Sequence, residues 1–175
     1  VLFRSKEGKI LIVYDDNTYK AAGREAKQLL DDAGFNVKEL LFDRGGELLI
    51  PDESVVGRIL EEQELDVSLM VAVGSGSLND SVKYVSSRTK VPYIIVCTAP
   101  SMDGYVADGA PLICNGYKYS YPACLAYGVV GDTDIMKEAP MELIHAGFGD
   151  VVGKITALAD WDLSVKVNDE YRCET

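Results

Sequence analysis

The chain has 175 residues, 47% of them hydrophobic and 26% charged, an ordinary globular balance that excludes disordered and fibrous classes. Lys and Arg number 17 against 28 Asp and Glu, a net charge of −11. So acidic a chain argues against broad electrostatic binding to nucleic acid or an anionic membrane, and any anionic ligand must be held locally. The length suits one domain that buries roughly 70% of its unfolded surface, and no apolar run approaches the roughly 20 residues that span a bilayer. Cys97, Cys114, Cys124 and Cys173 are scattered without a C-x-x-C pair, and they read as reduced thiols of a cytosolic protein. The single histidine, His145, excludes a zinc site of several imidazoles built from this chain alone.

In chain order, the apolar run Lys9 to Tyr14 reads as a buried parallel strand ending at Asp15-Asp16. Tyr19 to Ala33 has Ala22, Ala26, Leu29 and Leu30 at helical spacing, and Gly34 supplies the stop. Val37 to Phe42 is a second strand. Asp52 caps a helix from Glu53 to about Glu62, with Val55, Val56, Ile59 and Leu60 on its inner side. Val67 to Val73 is a third strand running straight into Gly74-Ser75-Gly76, followed by a helix from about Asn79 to Ser87 and a strand from Tyr93 to Cys97.

This alternation predicts an α/β fold, a doubly wound parallel sheet. Ser101 to Gly131, rich in Gly, Tyr and Pro, reads as an irregular segment with a short hairpin near Leu112 to Tyr119. From Pro140 helical character dominates, with a helix from Gly149 to Leu163 that places Val152, Ile155, Ala159 and Leu163 inside. The expected organisation is a dinucleotide-binding domain over 1–139 and the truncated start of an all-helical domain over 140–175. The run Leu2-Phe3-Arg4-Ser5 matches a translated sequencing-adapter tail, which suggests an artificial start.

Four segments carry candidate chemistry. Gly74-Ser75-Gly76-Ser77-Leu78-Asn79-Asp80 lies between a strand and a helix, where glycines allow close approach and a helix N-terminus offers free N–H groups to a pyrophosphate. The spacing is not the G-x-G-x-x-G fingerprint, and a glycine pair after a strand is also an ordinary tight turn. Asp15, at the carboxyl edge of the sheet, suits the two hydroxyls of an adenosine ribose. The competing reading of this region is helix capping, by Asp15 or equally by Asp16, Asn17 or Thr18. Thr98-Ala99-Pro100-Ser101-Met102-Asp103-Gly104-Tyr105 groups two hydroxyls and a carboxylate on the same edge, although Ser-x-Asp-Gly is also common turn chemistry. Asp150 and Lys154 stand at i, i+4, where a surface ion pair is the plain account.

Taken together, the run Asp15 to Gly23, the Gly-Ser-Gly-x-x-Asn-Asp loop, Thr-Ala-Pro-Ser-Met-Asp-Gly-Tyr and the stretch from Ala146 to Trp161 resemble the sn-glycerol-1-phosphate dehydrogenases. These belong with iron-type alcohol dehydrogenases, glycerol dehydrogenase and dehydroquinate synthase. The resemblance covers residues 8 to 175, and Ser-Met-Asp-Gly-Tyr and Gly-Phe-Gly-Asp are its specific part.

The resemblance implies a cytoplasmic, homo-oligomeric enzyme of phospholipid biosynthesis that reduces dihydroxyacetone phosphate to sn-glycerol 1-phosphate with NAD(H) or NADP(H). It implies that Asp15 contacts the ribose, that Gly74 to Asp80 hold the pyrophosphate, and that Thr98 and Ser101 line the nicotinamide side. Asp103 would contact a substrate hydroxyl. Asp150 would bind substrate and a divalent metal, zinc or nickel, with two histidines beyond Thr175. Lys154 stands where iron-type relatives carry a histidine ligand. A protonated lysine does not coordinate metal, and its charge suits a phosphorylated substrate. Ala107 replaces a serine near the cofactor, and His145 reads as a partly buried helix residue rather than a ligand. The alternatives are a glycerol dehydrogenase or other polyol oxidoreductase, and a non-catalytic nucleotide-binding module.

Overall fold

The computed structural model describes residues 8–173, so the Leu2 to Ser5 reading lies outside the described residues. Five parallel strands form the main sheet: β1 (Lys9–Asp15), β2 (Asn36–Phe42), β3 (Val67–Gly74), β4 (Tyr93–Cys97) and the short β7 (Gly128–Val130). Their spatial order is β2-β1-β3-β4-β7, so the chain reverses its direction of winding between β1 and β3. In such sheets the carboxyl ends splay apart at that point and leave a crevice. The order is 2-1-3-4-5 in chain sequence, distinct from the 3-2-1-4-5-6 order of the dinucleotide-binding type.

Alternation along β1 explains why both faces are covered. Ile10, Ile12 and Tyr14 point to one side, where they pack with Leu69, Val71, Val73 and Ala22. Leu11 and Val13 point to the other, against Met70, Ala72, Val55, Ile59, Val82 and Val85. The first face is covered by a continuous helical run, α1 (Asp16–Thr18), one wide π turn (Tyr19–Gly23) and α2 (Arg24–Asp32). Gly23 lies flat on the Tyr14 ring, where a Cβ would come within 2.9 Å. The opposite face is covered by α3 (Glu53–Glu62) and α4 (Gly76–Thr89). No described helix is long and apolar enough to cross a membrane.

The expected strands and helices are present, with instructive differences. Asp52 does cap α3 through Ser54 and Val55 N–H, but Leu60 is exposed rather than inward. Helix α4 starts at Gly76, not Asn79, because Gly76 and Ser77, poor helix residues in isolation, join its first turn directly after the Ser75 cap. The irregular segment contains a hairpin, β5 (Gly109–Cys114) and β6 (Tyr117–Pro122), and then β7, which Ile94 and Val96 recruit to the sheet edge. The hairpin is pinned to α3 by Ile113 N–H donating to Pro51 O at 2.8 Å and Asn115 N–H donating to Glu53 at 2.7 Å.

After α5 (Thr133–Met136), α6 (Met141–Asn168) is a single 28-residue helix, about 42 Å long at 1.5 Å per residue. It begins eight residues before the expected Gly149. Val152, Ile155, Ala159 and Leu163, expected inside, are exposed, as is His145. The helical periodicity is real, but among the described residues nothing covers that face. Only Gly147 is buried in α6.

Under the loop region, Lys83 is fully buried. Its ammonium donates to Asp80 at 3.1 Å and to the carbonyls of Gly104 and Gly109, each at 3.0 Å. Asp80 also accepts from Asn79 Nδ2 at 2.9 Å, and Tyr93 Oη donates to Asn79 Oδ1 at 3.3 Å. Burial raises the Asp80 carboxyl above its usual range against the pull of Lys83, so the ammonium is what keeps a carboxylate tenable there. Removing one partner of a buried pair typically costs about 3–5 kcal/mol, because a charge is left uncompensated. We therefore expect Lys83→Met to lower the urea-unfolding free energy by about that much and Lys83→Met/Asp80→Leu to cost less. A single-variant loss under about 1 kcal/mol would remove the network from this role.

Candidate active-site cleft

A cleft of about 670 Å³ opens at the carboxyl ends of the strands, where β1 and β3 part. Asp15 enters it from the end of β1. Its Oδ1 accepts from Thr18 N–H at 2.8 Å while its own N–H donates to Thr18 Oγ1 at 3.0 Å. Asp15 is thus the cap of α1, and at 8% exposure its carboxylate still lines the cleft. Asp16, the competing candidate, instead holds the loop after β2 by accepting from Arg44 and Gly46 N–H. Those hydrogen bonds lower its pKa against desolvation, the largest influence, which acts to raise it.

Ser75, Gly76, Ser77 and Leu78 form the floor of the cleft as the first turn of α4. No side chain caps this helix, so its leading N–H groups face the cleft with the positive end of the helix dipole behind them. Two glycines here have different reasons. A Cβ on Gly74 would strike Leu78 at 2.6 Å, so Gly74 serves packing. A Cβ on Gly76 would meet only Met102 Sδ at 3.5 Å, an ordinary contact. Nothing among the described residues demands glycine at position 76, and a bare backbone there leaves space for a group outside the chain.

On the opposite wall, Ser101, Met102, Asp103 and Gly104 face α6. This wall is set by Gly147. A Cβ at Gly147 would lie 1.7 Å from the Pro100 carbonyl oxygen, so only glycine lets α6 cross the 98–103 segment in backbone contact. That approach brings Asp150 Oδ2 to 2.9 Å from the Asp103 N–H, which donates to it. Lys154, one turn further, pairs with Asp103 at 2.6 Å and not with Asp150 as its i, i+4 spacing suggested. The pairing lowers the Asp103 pKa and raises that of Lys154. Both side chains are about half exposed, so the pair organises charge more than it adds stability.

Of the sequence-derived candidates, Asp15, Ser75 to Leu78, Asp80, Ser101, Asp103 and Asp150 line one cleft. Gly74, Asn79 and Thr98 lie beneath it. Asn79 is fully buried and Thr98 is 7% exposed, its N–H donating to Gly74 O at 3.0 Å. These residues support the floor from below. Lys154 stands at the rim through its bond to Asp103.

Sequence reading included Gly147 in the Gly-Phe-Gly-Asp motif without giving it a role, and it missed Lys83 and an apolar wall of Leu48, Leu49, Ile50, Pro51, Pro111 and Ile113. Lys83 is signalled only by its i, i+3 spacing from Asp80, and Gly147 by its motif alone, which does not tell that the glycine serves a backbone contact. Cys97, at the end of β4, is buried with its thiol pushed up to about 11, which makes it inert.

The metal does not fit the described residues as a complete site. Among them no three His, Cys, Asp or Glu side chains group to hold an ion, and catalytic zinc normally has three protein ligands. His145, five residues before Asp150 on the same continuous helix, lies about 140° around it at 100° per residue.

The fold and cleft define an α/β protein with a ligand crevice at the switch point of a parallel sheet. A family model for iron-containing alcohol dehydrogenase matches residues 1–140, and the chain belongs to that family. It is 39% identical to glycerol-1-phosphate dehydrogenase of Geobacillus thermodenitrificans over 94% of this chain and 41% of the relative. It is 34% identical to that of Bacillus subtilis over 92% of this chain and 41% of the relative. For the enzyme of Methanosarcina mazei the figures are 33%, 94% and 45%. All three carry NAD(P)+ in their names. The chain spans under half the length of these relatives. Glycerol dehydrogenase from Schizosaccharomyces pombe superposes with a TM-score of 0.70 at 23% identity, over 85% of this chain and 37% of that one. An iron-containing alcohol dehydrogenase from Thermotoga maritima gives 0.69 at 20% identity, over 82% and 45%.

Gly147 offers a clean test of how the wall is built. We expect Gly147→Ala to push α6 off the Pro100 carbonyl, break the Asp150 bond and speed amide hydrogen exchange at Asp103. An unchanged Asp103 rate would mean that the 98–103 segment holds its shape without α6.

Proposed function

We propose that this chain is the cofactor-binding part of an NAD(P)-dependent dehydrogenase that reduces dihydroxyacetone phosphate to sn-glycerol 1-phosphate. The observation that carries this reading is the convergence, at one switch-point cleft, of Asp15, the bare first turn of α4 and the Ser101 to Asp103 wall. The geometry suits a dinucleotide. Asp15 can accept two ribose hydroxyls, and the apolar wall beside it from Leu48 to Pro51 offers a surface for a base. The open N–H groups of α4, with room above Gly76, suit a pyrophosphate. Bound NADH would supply the hydride, and water the proton, that together convert a ketone into an alcohol. Against it, Ser101 would flank the nicotinamide, Asp103 would accept a substrate hydroxyl and Lys154 would hold that carboxylate charged and in place. Asp150, fixed by the Asp103 N–H, would offer its second oxygen as one ligand to a zinc or nickel ion.

A second reading, a nucleotide-binding module without turnover, is favoured for the 175 residues by themselves because no three-ligand group is present among those described. The two readings make compatible expectations. The chain should bind NADH yet show no loss of NADH absorbance with dihydroxyacetone phosphate and added zinc or nickel. Metal-dependent turnover abolished by Asp150→Asn would mean the site is complete within these residues.

The cofactor reading has its own test in Asp15. Asparagine caps helices about as well as aspartate, so Asp15→Asn removes charge while keeping α1 in place. Because a carboxylate repels a 2′-phosphate, the wild type should prefer NADH to NADPH. The variant should narrow that preference by about tenfold, the worth of roughly 1.4 kcal/mol. Equal dissociation constants for the two cofactors in the wild type would take Asp15 out of the ribose role.

A further inference from the structure

The room above Gly76 is bounded by one side chain. The three atoms nearest to a Cβ built there are Sδ, Cε and Cγ of Met102, at 3.5, 3.9 and 3.9 Å. A Cβ on Gly104 would meet the same Sδ at 3.1 Å and the same Cε at 3.9 Å. The thioether of Met102 therefore lies between a glycine of the cleft floor and a glycine of its wall. It leaves room beside Gly76 for a methyl group, and a phosphoryl group is larger.

The backbone that carries Met102 is held on both sides. Before it, Pro100 and Ser101 lie against Gly147 of α6. After it, the Asp103 N–H donates to Asp150 at 2.9 Å and the Gly104 carbonyl accepts from Lys83 at 3.0 Å. Tyr105 Oη closes the turn by donating to Ala99 O at 2.7 Å. Space at the floor is thus gained by turning the side chain and not by moving the loop. Methionine suits such a motion, because it is unbranched, flexible and gives up no strong hydrogen bond when it leaves. Its side chain is only partly buried, so the way out is open. A β-branched residue at the same position would be stiff at χ1.

We propose that Met102 is a movable plug of the cleft. Its thioether closes the gap between Gly76 and Gly104, and a ligand phosphoryl group reaches the floor by turning it outwards. This rests on the cofactor reading above. The cleft then has a closed and an open form that differ by one side chain, and the affinity observed is reduced by the fraction of molecules that are open. Truncating the plug removes that reduction, while a stiff replacement deepens it.

The test records NOEs from the Met102 ε-methyl of the 175-residue chain, without ligand and saturated with NADH. It also titrates wild type, Met102→Ala and Met102→Ile with NADH and with adenosine, which has no phosphoryl group. Without ligand the methyl should show NOEs to the Hα protons of Gly76 and Gly104, and these should vanish with NADH. Met102→Ala should bind NADH about fivefold more tightly and Met102→Ile more weakly, with adenosine unchanged in both. Amide exchange at Asp103 should match the wild type in both variants, and a faster rate would mean that the loop moves and the plug reading falls. NOEs that persist in the NADH-saturated chain, or a Met102→Ala that binds NADH no more tightly than wild type, overturn the plug and leave the cofactor reading standing. Failure of all three proteins to bind NADH overturns both.

Discussion

The cleft depends on one buried ammonium. Lys83 reaches three places that are distant in sequence, Asp80 on α4, the Gly104 carbonyl after the Asp103 turn and the Gly109 carbonyl at the start of β5. A lysine taken out of water is costly unless its donors are met, and here three oxygens meet its three protons. Two of these oxygens belong to backbone, so the ammonium dictates where two chain segments run. The floor of the cleft, its Ser101 to Gly104 wall and the root of its hairpin are therefore set relative to one another by one side chain. Tyr105 adds to this by donating from its hydroxyl to Ala99 O at 2.7 Å, closing the turn on itself.

Gly147 is the second constraint, acting by absence of atoms. Lys83 fixes the wall from beneath, and Gly147 admits a helix from above so closely that Asp150 meets a backbone N–H of that wall. The order of cause is sequence to approach to charge. Glycine permits backbone contact, contact positions Asp150, and Lys154 one turn on reaches Asp103. The i, i+4 rule describes isolated helices, and it lost to a tertiary partner because Asp103 lay within reach of the lysine.

Much of the fold was legible because its signals are local. Apolar runs with polar ends mark β1 to β4, and Asp52 and Gly34 punctuate helices through chemistry confined to one turn. A doubly wound sheet implies a reversal, but its position between β1 and β3 was not legible, because strand order is decided by which faces the helices cover. Nor was β7, whose three residues join the sheet only because β4 offers an edge. The inward face expected for α6 follows from periodicity, which records that a face is apolar and not what lies against it. The Gly76, Asp103 and Asp150 positions could be singled out by residue type. Lys83 and the Leu48 to Pro51 wall could not, since each takes its role from neighbours across the fold.

The charge balance is what joins fold to function. A chain of net charge −11 that gathers four carboxylates at a cleft repels phosphorylated ligands unless each carboxylate is screened or engaged. Here two are neutralised by lysines, one is bound by a backbone N–H and one is consumed in part by a helix cap. What remains facing the crevice is a helix end with uncapped N–H groups and a glycine with space above it. The acidic side chains thus act first as scaffold, and the unengaged polar groups of the floor are backbone N–H. Carboxylates suited to hydroxyl groups and N–H groups suited to anions thus stand side by side in one crevice, because the lysines and backbone donors that hold the carboxylates also keep the helix end open.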